Sequence, residues 1–586
     1  MSFSLMSQLR STHAALHVPE ILVSIGHHLP REDFLRAVLV CKSWHTILLP
    51  LLWHTLTIPQ RWRVKMMEHN DTSIGFPDPS IFKTYAQLVR SLNCNNIDCH
   101  LHYLVPGCNQ LTELEVVDLS MGTLPLLKLN TATLTSIKFK REHDELLRMK
   151  PFGILEFLKA MNECSFLDQL RLENFEVEGP PVDKRSHRGS GTQRRRTQHA
   201  AGAEGGEVFR SPEDIAASIT LFYEIVQRLS RLELVRNVIR TPPTNRSQVF
   251  YRLRRLALLG CSMSYRDQLQ LVSQCQYLTH LRLEFKRDSE HLDPEELALI
   301  ELDVNCPRIT HLDLSWSTLQ DQEIATLLRY IPRLISFRAQ RTNVGEKTIQ
   351  LLTGIHSKVK DQLWELDLVD ARIMQSPWIQ QLLCSCSGLR RFRATEMNAR
   401  EIVNAAVTRA LADPVPGSTE SSSSLLSSSG SWVCLHLQEL QLSISGILPL
   451  SSFQDQVLVY DQLSKLTQLQ ILSLGGNCMS TWFRMQTLKL SLQNGFDQLC
   501  TLKELRTFNF SYMDHDLGMA EVEFMMEHWK KLRKVIGTIS IAPGYSEMGT
   551  KGTGRGGGSG SGRQPKVERH EIYIHRKWPL VQFCSR

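Results

Sequence analysis

Five residues in the first fifth of the chain carry side chains that zinc favours as ligands, namely Cys94, Cys99, His100, His102 and Cys108. Two of them have a structural explanation. Cys94 and Cys108 fall in phase with an apolar pattern that recurs along the chain, and a small thiol can pack inside each turn of such a repeat. We therefore predict buried cysteines at these positions, with neither a metal site nor a cofactor.

The chain contains no pattern that predicts catalysis. The His-Glu-x-x-His motif of zinc proteases and the Gly-x-Ser-x-Gly motif of serine hydrolases are both absent from the sequence. The glycine run at 552–562 lacks the Gly-Lys-Ser/Thr ending of a phosphate-binding loop, which indicates a linker. We predict that the chain is not an enzyme and has no catalytic residues. An enzyme site among the repeats is the least favoured alternative.

Composition narrows the class of partner. The chain has 586 residues, 42% of them hydrophobic, and a formal net charge of only +7, so a dedicated nucleic-acid binder is not expected. No apolar run reaches the length of a membrane span, and residues 1–10 lack the basic start and apolar core of a secretory signal. We expect no membrane contact, a cytoplasmic or nuclear location or both, and reduced thiols.

A short apolar spacing recurs along most of the chain. It consists of an apolar residue, two others, an apolar residue, one other and a third apolar residue, as in Leu167-Leu170-Leu172 and Leu505-Phe508-Phe510. About fourteen copies occur, most of them about 22 to 36 residues apart, which is the signature of leucine-rich repeats. The sequence therefore predicts an α/β fold, a leucine-rich-repeat solenoid with a curved parallel sheet and outer helices.

Three short helical patterns precede the repeats, within residues 18–53. Ile21, Leu22, Ile25 and Leu29 lie on one face of the first helix, and Pro30 separates it from the second. We predict a small all-α unit of three helices. Helices this short cannot bury all their apolar surface against one another, so the rest of the chain or a partner must cover some of it.

This N-terminal segment resembles an F-box, the module that docks the Skp-type adaptor of a cullin–RING ubiquitin ligase. The resemblance lies in Pro19-Glu20-Ile21-Leu22, Leu29-Pro30, Phe34-Leu35 and Val40-Cys41-Lys42-Ser43-Trp44. Val18 departs from the leucine usual in the family. The residues that the resemblance implies for the F-box core and adaptor contact are Pro19, Ile21, Leu22, Ile25, Leu29, Pro30, Leu35, Val40, Cys41 and Trp44. The sequence does not separate core residues from interface residues within this set.

The predicted organisation has an F-box at 15–55, a connector at 56–87 and a solenoid at 88–540. Polar inserts at 180–210 and 412–431 are expected to be disordered. A glycine-rich linker at 545–567 precedes a tail at 568–586. The end of the array, around Phe508 and Trp529, resembles that of F-box/leucine-rich-repeat proteins abundant in early-branching, Mortierella-like fungi.

Charged residues on the predicted strands give a candidate recognition surface. The residues predicted to contact a protein target are Arg282, Glu284, Asp313, Arg338, Asp367 and Arg393. Because their signs alternate, a protein partner of mixed charge is favoured over a polyanion. The function predicted from all these features is a substrate-recognition subunit of an SCF-type ubiquitin ligase, which binds a Skp-type adaptor, through it cullin, and an unidentified protein target. The alternative is a leucine-rich-repeat scaffold without ligase output.

Overall fold

The computed structural model describes most of the predicted elements. The described residues are 18–58, 79–94, 106–117, 122–141, 154–177, 211–239, 249–285, 305–354, 357, 359–404, 431–447, 453–475, 487–511, 513, 517–537 and 582–584. The predicted insert at 180–210, all but the last residue of the one at 412–431, and the predicted linker at 545–567 lie outside these ranges. The chain divides into two compact units, residues 1–279 and 280–586.

The first unit begins with the predicted helices, α1 (Pro19–His28), α2 (Arg31–Val38) and α3 (Lys42–His54). Pro19 is the first residue of α1, where a missing N–H costs no hydrogen bond. Pro30 has an extended backbone between α1 and α2, which ends the first helix and starts the second. Both α1 and α2 pack against α3.

The sheet of the first unit contains parallel strands that pair in chain order. They are β1 (Thr55–Ile58), β2 (Ser91–Cys94), β3 (Glu113–Val117), β4 (Ser136–Lys140), β5 (Gln169–Glu173), β6 (Arg231–Val235) and β7 (Arg255–Leu259). The helices between them are α4 (Pro79–Tyr85), α5 (Thr123–Leu129), α6 (Ile154–Glu163), α7 (Pro212–Val226) and α8 (Tyr265–Ser273).

The second unit continues the same alternation of strand and helix. Its strands are β8 (His280–Glu284), β9 (His311–Asp313), β10 (Ser336–Arg338), β11 (Glu365–Leu368), β12 (Arg391–Asn398), β13 (Glu439–Ser445), β14 (Ile471–Ser473), β15 (Thr507–Asn509), β16 (Lys534–Ile536) and β17 (Gln582–Cys584). Each pairs in parallel with the next. The helices are α9 (Asp321–Arg329), α10 (Glu346–Thr353), α11 (Val359–Gln362), α12 (Ser376–Ser385), α13 (Phe453–Ser464) and α14 (Met519–His528), with 3-10 turns at Leu492–Asn494 and Phe496–Thr501.

The repeated apolar spacing explains why these segments form strands in register. Leu114, Ile137, Leu170 and Leu232 occupy equivalent positions on β3 to β6, and each is buried. Alternate side chains of a strand point to opposite faces, so the polar residues between them reach the other face of the sheet. This arrangement is a leucine-rich-repeat solenoid, as predicted. Across the described ranges, no helix is long and apolar enough to cross a membrane.

The sheet begins earlier than the spacing predicted. Thr55 directly follows α3, and β1 pairs with β2 from Thr55 opposite Ser91 to Ile58 opposite Cys94. Most of β1 therefore lies within the predicted connector at 56–87. The copy that was missed is Trp53-Leu56-Ile58, whose first apolar residue also belongs to the last turn of α3. The alternation around Ile572 and Ile574 predicts a strand in the tail, and these residues lie outside the described ranges.

Candidate docking surfaces

The three N-terminal helices share one small core. Its buried members are Leu22 from α1, Phe34, Ala37 and Val38 from α2, and Leu48 from α3. Burying one such large aliphatic or aromatic side chain contributes about 1.5–3 kcal/mol relative to leaving it exposed. The core therefore consists of one stripe from each helix, and side chains on the other stripes do not belong to it.

Gly26 sets the distance between α1 and its neighbours. A Cβ at this position would lie 2.9 Å from Phe34 Cε2 and 3.1 Å from Leu48 Cδ2. Glycine inside a helix costs about 1 kcal/mol relative to alanine, so its presence here needs a reason. The reason is the close approach of the two core side chains, which leaves no ordinary space for a methyl group.

The structure separates the residues of the predicted adaptor-binding set. Leu22 is completely buried, so within this set it belongs to the core rather than to the surface open to an adaptor. Ile25, Leu29 and Trp44 are half-buried, and the last two pack against the core. The exposed members are Pro19, Ile21, Pro30, Leu35, Val40 and Cys41. These six remain predicted contacts.

Two further apolar side chains are exposed on these helices and were not in the predicted set. Leu39 is 80% exposed directly after α2, and Val18 is 39% exposed directly before α1. The signal for Leu39 was its position four residues after Leu35, which puts both on one side of a helix. Together with Ile21 and Val40 they form the exposed apolar set, defined as Val18, Ile21, Leu35, Leu39 and Val40.

Comparison with known families identifies this segment. Residues 19–59 match the family model described as F-box-like. The N-terminal helices form an F-box-like domain. The match ends one residue after β1, so it includes the junction with the sheet as well as the three helices.

Over larger parts of the chain, similarity is found only at low identity to solved structures. No curated protein matches the sequence. A leucine-rich-repeat protein of Leptospira interrogans is 14% identical, with a TM-score of 0.36, over 85% of this chain and 90% of that one. An internalin of Listeria monocytogenes is also 14% identical, with a TM-score of 0.27, over 53% of this chain and 82% of that one.

The F-box-like domain joins the sheet of the first unit without an intervening segment. The Trp53 ring, in the last turn of α3, stacks on Tyr85 with ring centroids 5.0 Å apart. It also meets Phe82 edge to face at 5.8 Å. The amide of Arg90 donates to the carbonyl of His54 at 2.9 Å. Helix α3 is therefore attached to α4 and β2 by side-chain and backbone contacts.

Five of the predicted target-binding residues occupy one row across β8 to β12. Arg282, Asp313, Arg338, Asp367 and Arg393 are partners in the parallel register of these strands, and we call them the charged row. Oppositely charged neighbours pair within it. Arg282 Nε lies 3.2 Å from Asp313 Oδ2, and Arg393 Nη1 lies 3.5 Å from Asp367 Oδ2. Glu284, the sixth predicted residue, is half-buried two residues after Arg282.

Asp367 is an internal acceptor rather than a contact for a partner. It is only 1% exposed and accepts hydrogen bonds from Gln340 Nε2 at 2.8 Å and from the amide of Val369 at 3.3 Å. The prediction that Asp367 binds a target is therefore wrong. The alternating signs of the row have the same origin, because each carboxylate neutralises an arginine on a neighbouring strand. They do not by themselves indicate a partner of mixed charge.

A second line of acids supports the charged row. Glu365 Oε1 accepts from Nε and Nη2 of Arg338 at 3.1 and 2.7 Å, and Glu365 Oε2 accepts from Ser336 Oγ at 2.8 Å. Burial alone would raise the pKa of Glu365, but the hydrogen bonds from Ser336 and Arg338 outweigh it and hold the pKa below its ordinary value. Burial likewise opposes the charge of Arg393, yet Glu439, at 2.6 Å, raises its pKa.

Three residues with a left-handed backbone lie just after the C-terminal ends of β9, β10 and β11. Trp316, Arg341 and Asp370 each lie four residues after the central apolar residue of a strand and have φ angles of 69°, 56° and 57°. This left-handed backbone is uncommon for Trp and Arg. The Arg341 guanidinium carbon lies 4.2 Å from the Trp316 ring centroid, and Arg341 Nε lies 3.3 Å from Asp370 Oδ2. We call these three residues the exit row.

Cys94 and Cys108, the two cysteines predicted to be buried in phase with the repeat, are both buried, and so are Cys164, Cys386 and Cys434. Burial raises the pKa of Cys108, Cys386 and Cys434 to about 12 in each case, and that of Cys164 to about 11. A thiol with such a raised pKa is a poor nucleophile at neutral pH. Within the described ranges, no three His, Cys, Asp or Glu side chains are grouped to hold a metal ion. Cys99, His100 and His102 of the candidate zinc cluster lie outside those ranges.

Proposed function

We propose that the chain is a substrate-recognition subunit of an SCF-type cullin–RING ubiquitin ligase. In this role the F-box-like domain docks a Skp-type adaptor, and the leucine-rich repeats bind a protein target. The observation that supports the proposal most directly is the exposed apolar set, whose five side chains are between 39% and 80% exposed.

The energetics of these side chains favour a partner. The core of the F-box-like domain uses Leu22, Phe34 and Leu48 and leaves Leu35 and Leu39 in water. Burial of apolar surface contributes about 25 cal/mol per Å², or about 0.8 kcal/mol for each CH₂ group. A partner that covers the five side chains would therefore gain several kcal/mol of binding free energy. The apolar surface of a Skp-type adaptor would supply that cover.

The junction at Trp53 supports the second half of the proposal. A target held by the repeats and an adaptor held by α1 and α2 would belong to one assembly, so ubiquitin transfer by the other subunits would become effectively intramolecular. The chain itself contributes binding and positioning and no bond-breaking step. Such a role places it in the cytoplasm, the nucleus or both. The resemblance to fungal F-box/leucine-rich-repeat proteins stays a prediction.

The test is a pull-down of the full chain with purified Skp-type adaptor, followed by addition of cullin. We expect the wild-type chain to retain the adaptor and then cullin. The double variant Leu35→Asp/Leu39→Asp should weaken adaptor binding at least tenfold. Leu129→Asp is the matched control, because Leu129 is similarly exposed, at 44%, but lies on α5.

The outcomes separate the proposal from its alternative. Failure of the folded wild-type chain to bind the adaptor would refute the docking role. Binding of the adaptor without cullin would instead support a leucine-rich-repeat scaffold that has no ligase output. Equal loss in Leu129→Asp would show that binding depends on general stability rather than on the exposed apolar set.

A further inference from the structure

We propose that the charged row binds an acidic, extended segment of a protein target, whose carboxylates contact Arg282 and Arg338. This inference rests on the proposed function, and it specifies the chemistry of the target that the second unit recognises. It replaces the mixed-charge partner that the alternation of signs had favoured.

The arginines of the row are more exposed than the acids with which they pair. The Arg282 and Arg338 side chains are each 45% exposed, whereas those of their partners Asp313 and Glu365 are 20% and 10% exposed. Asp367 lies deeper still. The carboxylates therefore sit behind the guanidinium groups, and a molecule that approaches the row meets N–H donors first.

The arginines keep donors for such a molecule. A guanidinium carries five N–H groups in a planar fork. Arg338 directs two of them at Glu365 Oε1, and Arg282 directs its Nε at Asp313. A carboxylate is the side chain that matches the remaining fork best, because it accepts two parallel charge-assisted hydrogen bonds.

The register gives the spacing of the target's acids. Neighbouring strands lie about 4.8 Å apart, so arginines on β8 and β10 are about 10 Å apart. A polyproline II segment is extended, with three residues per turn and a rise of about 3.1 Å per residue, so every third side chain points to the same side at intervals of about 9 Å. Acids at every third position of such a segment can therefore lie over both arginines. In a helix, which rises about 1.5 Å per residue, the same distance needs seven residues.

Exposed tryptophans mark the two ends of the strands in this region. Trp316, 50% exposed, lies after the end of β9, and Trp364, 37% exposed, lies immediately before β11. Trp and Arg are the residue types most enriched among the contacts that dominate binding energy in protein interfaces. A protein segment can use both the rings and the arginines.

A nucleic acid fits this row less well. Successive phosphates of one strand are about 3.4 Å apart along a duplex, so a phosphate would also lie over Asp313, between the two arginines. The carboxylates of the row repel a continuous line of negative charge. Acids separated by uncharged residues avoid that repulsion.

The test is fluorescence polarisation with the full chain and three fluorescein-labelled peptides of equal length. In the first, glutamates occupy every third position of an alanine–serine peptide; in the second, the same glutamates are contiguous; in the third, lysines replace them. We expect the first to bind at least fivefold more tightly than the second, and the third not to bind. A single-stranded oligonucleotide serves as the polyanion probe.

Variants assign the binding to the row. Arg282→Gln/Arg338→Gln should weaken binding of the first peptide at least tenfold, and Arg282→Lys/Arg338→Lys should weaken it less. Arg231→Gln is the matched control, because Arg231 lies on β6, is 47% exposed and pairs with Glu233. Thermal unfolding of each variant establishes that it is folded.

No binding of the first peptide, no preference for it over the second, or binding that the double variant leaves unchanged would overturn the proposal. Tighter binding of the oligonucleotide, lost in the same variant, would assign the row to nucleic acid instead. Adaptor binding by the same preparation is unaffected by these outcomes, so failure here is distinguishable from failure of the proposed function.

Discussion

Arg393 on β12 lies 3.5 Å from Asp367 on β11, a carboxylate whose side chain is only 2% exposed. The same guanidinium donates to Glu439 at 2.6 and 2.8 Å on the other side. One cation thus stands between two largely buried acids on neighbouring strands. The three charges neutralise one another across β11, β12 and β13.

Replacing this cation should destabilise the second unit. Arg393→Gln leaves Asp367 without its counter-charge, and breaking a buried pair on one side costs about 3–5 kcal/mol. Because the Arg393 side chain is 34% exposed, we expect about 2–3 kcal/mol, measured by urea unfolding. Arg36→Gln is the comparison, since Arg36 pairs with Asp33 on an exposed helix surface and should change stability by less than about 1 kcal/mol. Equal effects would mean that Asp367 does not need the cation.

Core and interface in the F-box-like domain should respond differently to the same substitution. Leu22→Asp places a charge in the core and should unfold the three helices, with loss of their thermal transition. Leu35→Asp changes an exposed residue, so the free energy of unfolding should stay within about 0.5 kcal/mol of wild type while adaptor binding falls. Circular dichroism and the pull-down, applied to the same samples, distinguish the two. An unfolded Leu35→Asp variant would show that Leu35 belongs to the core.

Gly26→Ala should lower the stability of the F-box-like domain although alanine favours helices. The added methyl group would meet Phe34 and Leu48, and overpacking of a filled core costs about 1–3 kcal/mol, more than the roughly 1 kcal/mol gained in helix propensity. Thermal unfolding measures the difference. Ser24→Ala, at an exposed position of α1, is the control and should be neutral or slightly stabilising. A stabilised Gly26→Ala variant would show that α1 can move away from α3.

The second unit should lose stability in acid partly through Glu365. The folded-state pKa of Glu365 is lowered, so the ionised side chain stabilises the folded state at pH values above its unfolded-state pKa, about 4.3. This stabilisation disappears as the pH falls through the folded-state pKa. Glu365→Gln should therefore flatten the dependence of unfolding free energy on pH below about pH 5. Urea titrations between pH 3 and 7 measure that slope. An unchanged slope in the variant would exclude Glu365 as a contributor.

Most strands were predictable because they repeat the same apolar spacing, and Leu170 or Leu232 needs no distant information to be recognised as buried. β16 and β17 lie beyond the last copy of that spacing and were not predicted from it. The copy at Trp53 was missed because its first residue completes a helix. The members of the charged row were predicted as an exposed surface. The sequence did not show that Asp367 is paired inward with Arg393, which follows 26 positions later in the chain and becomes its neighbour only through the strand register. Helix α2 has two apolar stripes that look alike in sequence, Phe34 with Val38 and Leu35 with Leu39. Only the packing of the three helices decides which stripe is buried.

The direct passage from α3 to β1 also affects how the chain can be divided. Cutting it after residue 58 would remove β1 from its pairing with Ser91 and its neighbours and leave an unpaired strand edge on β2, which is a template for aggregation. It would also uncover Phe82 by removing the Trp53 ring. Solenoids need a terminal cap to seal the first repeat. The F-box-like helices cover that end of the array here through the Trp53 contacts and β1, so the domain that we propose docks an adaptor also closes the repeat array.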